Sequence, residues 1–261
     1  LSEVKTISVH LGASRVATEI LECVSREMAE SILGKSKKII SQKEYTIFLR
    51  SHINAPGNSV LDHVKSKIGL EDYLSNLDQF AHVVSSQHAM LGKTSDIFAE
   101  SEILPKARRR VENFCRIFAD RQINIHLAIA PLHDCLITMA SEDEGVWKAE
   151  KGTYGVNSWS NLVSHITAAC PAANFTIWDF EDPDAVSLSF LASLLGLHVD
   201  QVDEVTRSNL HSDACENLKR AKLLSKIVVV NEPLQALMDE QYELDLLNIS
   251  EMRNVSLVSP K

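Results

Sequence analysis

The sequence predicts an α/β protein, a mostly parallel central sheet flanked by helices on both faces. Three observations predict it. Near the start, Ile7, Val9 and Leu11 alternate with polar residues, as a strand does. From Val16 the apolar spacing changes to about 3.6, with Val16, Ile20, Leu21, Val24, Met28 and Ile32 on one helical face. Further strand-like and helix-like segments then alternate without tight hairpin signals, which favours parallel pairing and a sheet covered on both sides.

The elements follow in order. The first helix begins near Arg15 or Val16 and reaches Gly34, a residue suited to a helix end. Lys35 to Lys38 reads as a basic turn, and Tyr45 to Leu49 as either a strand or a short helix. Asn54 to Ser59 has loop composition. Val60, Leu61, Val64 and Ile68 suggest a helix closed by Gly69, and Phe80 to Ser86 a buried strand.

Pro105 opens a helix whose apolar face is Ala107, Val111, Phe114, Cys115 and Phe118. Ile123, Ile125, Leu127 and Ile129 form the next strand, closed by Pro131. Residues 142–157 read as a surface loop containing Trp147, an aromatic placed for an acceptor or partner contact. Ser158 caps a helix that Pro171 stops, and Phe175 to Phe180 is a strand. Asp184 caps a helix ended by Gly196, and a further helix covers Asp213 to Leu224. A long helix around Leu234 to Ile249 and the short apolar run Val255 to Val258 complete the chain. A length of 261 residues suffices for one large α/β domain spanning 1–261.

The net charge of −9 disfavours nucleic acid and anionic membranes as partners. Lys106, Arg108, Arg109, Arg110, Arg116 and Arg121 nonetheless cluster, as a solvated face or as an anion-attracting rim. The cysteines at 23, 115, 135, 170 and 215 are odd in number and lack a C-x-x-C pair. They read as reduced thiols in a cytoplasmic protein, without a metal site. No apolar run approaches membrane-span length.

A strand, a small-residue turn and a helix start make a seat for phosphate, because unpaired N–H groups point outward there. His10-x-Gly12-x-x-Arg15-x-Ala17-Thr18 resembles the phosphosulfate loop of bacterial sulfotransferase-like proteins. That pattern runs His-x-Gly-x-x-Lys, then a hydroxyl residue, Gly and two hydroxyl residues. Further segments are similar to the same family. They are Ser85-Ser86-Gln87-His88-Ala89-Met90-Leu91-Gly92, Leu127 to Pro131 with Thr138 downstream, and Trp159 through Trp178-Asp179-Phe180-Glu181-Asp182. The run Leu191 to Leu197 and the closing helix with Val255 to Val258 complete the order.

The resemblance implies a P-loop-type fold and the donor 3′-phosphoadenosine 5′-phosphosulfate, held by Gly12, Ser14, Arg15, Thr18 and Thr138. In an active enzyme Arg15 and His88 would be catalytic. The departures touch the donor chemistry. Arg15 stands for lysine, Val16 for a hydroxyl residue, Ala17 for glycine and Glu19 for a hydroxyl residue. Gln87 occupies the base position and cannot take a proton; Ala130 replaces the arginine that would grip the 3′-phosphate. His10 and His126 read as strand or turn residues with satisfied partners.

The expectation is therefore a sulfotransferase-like protein with a degenerate donor site, acting as a non-catalytic binding or interaction module. It would bind no cofactor and would serve an unknown protein or small-molecule partner. A single oxyanion would still lodge at Gly12, Ser14, Arg15 and Thr18, with Glu19 limiting its affinity. The alternative is an active sulfotransferase. A nucleotide kinase is a weaker one, because the sequence has no G-x-x-x-x-G-K motif.

Overall fold

Alternation along the first strand decides how the molecule is layered. A computed structural model describes residues 5–12, 36–55, 63–87, 90–92, 103–135, 157–202 and 232–260, apart from the side chains at 63–68, 183 and 184. Strand β1 (Thr6–Gly12) sends Ile7, Val9 and Leu11 into one core and holds Ser8 and His10 buried outside that core. It is the third strand of a six-stranded sheet of order β2-β3-β1-β4-β5-β6, and every pairing is parallel. The other strands are β2 (Lys37–Ile40), β3 (His82–Ser86), β4 (Gln122–Ile129), β5 (Asn174–Asp179) and β6 (Val255–Val258).

The helices are α1 (Gln42–Glu44), α2 (Arg50–Asn54), α3 (His63–Leu77), α4 (Ala107–Ile117), α5 (Trp159–Ala169), α6 (Pro183–Leu195) and α7 (Glu232–Ser250). The larger core lies between the sheet and α4, α5 and α7, where Val111, Phe114, Trp159, Ile166 and Tyr242 meet Ile7, Val9, Ile125 and Ile177. The smaller core joins Phe190, Leu191 and Leu194 of α6 to Val84, Ala128 and Trp178. Helices thus cover both faces, and the α/β expectation holds with a sheet that is wholly parallel.

Several local expectations need correction. Lys37 and Lys38 belong to the edge strand β2 rather than a turn. A sheet edge accepts lysines, and here the Lys37 ammonium reaches the carbonyls of Leu195 and Gly196 while that of Lys38 pairs with Glu44. Tyr45 to Leu49 is a π-helical turn between α1 and α2. Gly69 does not end its helix. It is exposed in mid-α3, where an added Cβ would meet nothing within 4 Å. Asp184 lies within α6, whose first residue is Pro183. Gly196 does end α6, at φ 59°, a left-handed backbone that glycine adopts freely.

Cys115 and Cys170 form a disulfide across 55 residues, with their Cα atoms 6.3 Å apart, so they are not reduced thiols. Their separation in sequence concealed that α4 and α5 pack side by side. The basic cluster also divides. Arg108 and Arg109 are exposed, whereas buried Arg121 donates to the carbonyls of Leu77 and Phe80 and pairs with Asp78. Arg121 therefore serves the C-terminal end of α3 and not an anion rim. The first helix, the loop at 142–156 and the helix expected at Asp213 to Leu224 lie outside the described residues. Among the described residues no helix is long and apolar enough to cross a membrane.

Candidate functional site at the end of strand β1

From β1 the chain goes to β2 on one side of it, and from β3 it passes over β1 to β4 on the other. Open parallel sheets bind ligands outside the carboxyl ends of their strands where such a reversal occurs. Here that place is the end of β1, at Gly12. Gly12 pairs with Ala128 of β4, and an added Cβ would lie 2.6 Å from His10 Nε2 and 3.3 Å from the Ala128 methyl. Its lack of a side chain leaves room for the His10 ring two residues back.

Two sequence-predicted positions flank this end. Gln87 follows β3, and its backbone N–H donates to the His10 carbonyl at 2.9 Å. The Gln87 side chain is buried, and its amide nitrogen has no partner among the described residues. Ala130 follows β4, and its carbonyl accepts the Trp159 indole N–H at 2.9 Å. Gly12, Gln87 and Ala130 therefore come together from three adjacent strands. Ser14, Arg15, Thr18, His88 and Thr138, together with Glu19 and Trp147, lie outside the described residues.

Beneath α6 the sheet carries buried polar groups that lie outside the motif's donor-binding positions. His10 Nδ1 lies 3.0 Å from Ser86 Oγ, and its ring meets Phe190 edge-on with centroids 5.1 Å apart. His126 is the neighbour of His10 across β1 and β4. Its Nδ1 accepts the Trp178 indole N–H at 3.2 Å, so the proton sits on Nε2, which is buried without a partner among the described residues. His126 is thus a strand residue, as expected, with one ring nitrogen satisfied among those residues. Burial pushes its pKa down to about 4, with a smaller contribution from His82. The ring is neutral around pH 7.

A second polar group lies beyond β5 on the opposite face. Tyr242 of α7 donates to Asp179 Oδ1 at 2.6 Å, and burial followed by that carboxylate drives the phenol well above its ordinary range. His133 lies 3.3 Å from Asp134 and 2.8 Å from Asp239, and its pKa is raised, first by Asp134. Asp245 of α7 organises the start of α5. It accepts from Ser158 Oγ, the Trp159 N–H, Ser160 Oγ and Gln241 Nε2 at 2.7 to 3.0 Å. The cap at Ser158 was legible in the sequence; its long-range carboxylate partner was not.

Among the described residues no cluster of three or more His, Cys, Asp or Glu is placed to hold a metal ion. Comparison with protein-family models, with curated proteins and with solved structures returns no match.

Proposed function

We propose that the chain is a sulfotransferase-like binding module with a degenerate donor site, which seats an oxyanion at the carboxyl end of β1 and does not transfer sulfuryl groups. The observation that supports this reading is the trio at that end. Gly12 ends the strand at the point where the connections reverse direction, and its missing side chain makes room for the His10 ring. The residues flanking it are Gln87, an amide that cannot act as general base, and Ala130, a methyl where the family's arginine would grip the 3′-phosphate. Loss of that arginine alone costs about 1.5–3 kcal/mol of donor binding. A small-molecule or protein partner, rather than nucleic acid, follows from the charge of −9.

A cytoplasmic location was the companion expectation. The Cys115–Cys170 disulfide favours an oxidising compartment instead.

Calorimetry with adenosine 3′,5′-bisphosphate tests the reading, because a working enzyme must hold that product. Binding weaker than micromolar is expected, together with a sulfate-dependent rise in Tm that Arg15→Ala abolishes. Micromolar or tighter binding overturns it and favours the active enzyme, with Arg15 and His88 as its catalytic residues.

A further inference from the structure

At the opposite end of the strands, by the start of β1, a cavity of about 270 Å³ opens beneath the C-terminal end of α6. Ser8, Lys37, His82, Asn124, Ser193 and Gly196 are among the residues that line it, and among the described residues no carboxylate does. We propose that this cavity is a second ligand site, for a small molecule bearing one negatively charged oxyanion, held by Lys37, Asn124 and the Ser8–His82 pair. It is separate from the seat at Gly12, which lies at the other end of β1.

The argument begins with the direction of the hydrogen bonds. Asn174 Nδ2 donates to Asn124 Oδ1 at 2.9 Å, so the Asn124 carbonyl is occupied and its amide N–H groups turn to Ser8 Oγ, 3.5 Å away. His82 Nδ1 lies on the side that faces Gly196, and the Leu195 carbonyl nearby works against the lowering of its pKa. We assign the ring proton to Nδ1, on the side of that carbonyl. Nε2 carries the lone pair and accepts from the Ser8 hydroxyl at 2.9 Å. The chain of bonds therefore runs one way across four strands, from β5 to β3. It leaves the Asn124 amide short of a strong acceptor, and a 3.5 Å contact is the weakest link in the series.

Charge points the same way. Lys37 Nζ donates to the carbonyls of Leu195 and Gly196, both at 2.9 Å. An ammonium has three N–H groups, so one is left for an occupant. The end of a helix carries roughly −0.5 of a charge, so the lysine leaves the cavity net positive by about the same amount. Burial lowers the Lys37 pKa and, with Lys37 beside it, brings that of His82 down to about 4. An anion in the cavity relieves both groups. The volume lies just below the usual range of about 300–1,000 Å³ for small-molecule sites, which limits the occupant to a small one. Phosphate and carboxylate share the required chemistry.

The test follows the His82 ring proton by NMR titration on the full chain, in inorganic phosphate, in acetate and in chloride at equal ionic strength. Phosphate or acetate should raise the His82 midpoint, and the anion with the larger shift identifies the class. Midpoints that coincide in all three salts overturn the proposal, and this readout needs no variant. Calorimetry with phosphate then separates the two sites. Lys37→Met should weaken binding about tenfold while Arg15→Ala leaves this component unchanged. If Arg15→Ala removes all phosphate binding and Lys37→Met removes none, the cavity is not a site and the seat at Gly12 stands.

Discussion

The two faces of the sheet are built from the same strands to different ends. On one face Ile7, Val9, Leu11, Ile125 and Ile177 lie against α4, α5 and α7 in the larger core. On the other, Ser8, His10, Asn124 and His126 share the space beneath α6 with Trp178 and Phe190. Burying an imidazole or a hydroxyl costs free energy unless each polar atom finds a partner. The first face therefore maximises stability. The second gives some of it up to hold two imidazoles, a hydroxyl and an amide inside the protein.

Asp245 offers the sharpest test of the first face, because it is a fully buried carboxylate that gathers the donors at the start of α5. Asp245→Ala strands the donors of Ser158, Trp159 and Ser160 at the start of α5. It should cost about 3–5 kcal/mol, read as a lower urea midpoint.

The second face should show itself on acidification. His82 and His126 have folded pKa values of about 4 against 6.5 for free histidine, so the unfolded chain takes up protons first. Their contribution is complete above about pH 6.5 and falls as the pH drops toward 4. It amounts to about 3 kcal/mol for His126 and less for the more exposed His82. Urea titrations across that window measure the loss, and His126→Gln should flatten it while keeping an acceptor for Trp178. An unchanged slope in that variant would assign the acid sensitivity elsewhere.

The smallest effect is expected on the second face, at the end of β1. Gly12→Ala places a methyl 2.6 Å from His10 Nε2 and should cost about 1–3 kcal/mol. A neutral result in thermal melts would mean that the His10 ring moves aside freely.

How much of this was legible depended on the range of the signal. Strand β1, the cap at Ser158 and the end of α6 at Gly196 are local, set by period and by single residues, and the sequence displayed them. The edge strand at Lys37 escaped because its lysines mimic a turn, and only its neighbour β3 makes it a strand. Gly69 misled because an exposed glycine is tolerated within a helix at a cost of about 1 kcal/mol. The Ser8–His82 pair and the Asp245 hub join residues 74 and 85 to 87 positions apart, separations that no periodicity encodes. At the candidate seat, Gly12, Gln87 and Ala130 were singled out from motif spacing alone. Their meeting at one strand end depended on the order of the sheet.

The bond between Cys115 and Cys170 has a consequence for how the molecule breaks. It encloses β4 and the whole of α5 within one covalent ring. A protease that cuts anywhere between those cysteines severs the polypeptide but releases nothing. The two pieces stay tethered, keep their strands at high local concentration, and separate on a gel only after a reductant is added.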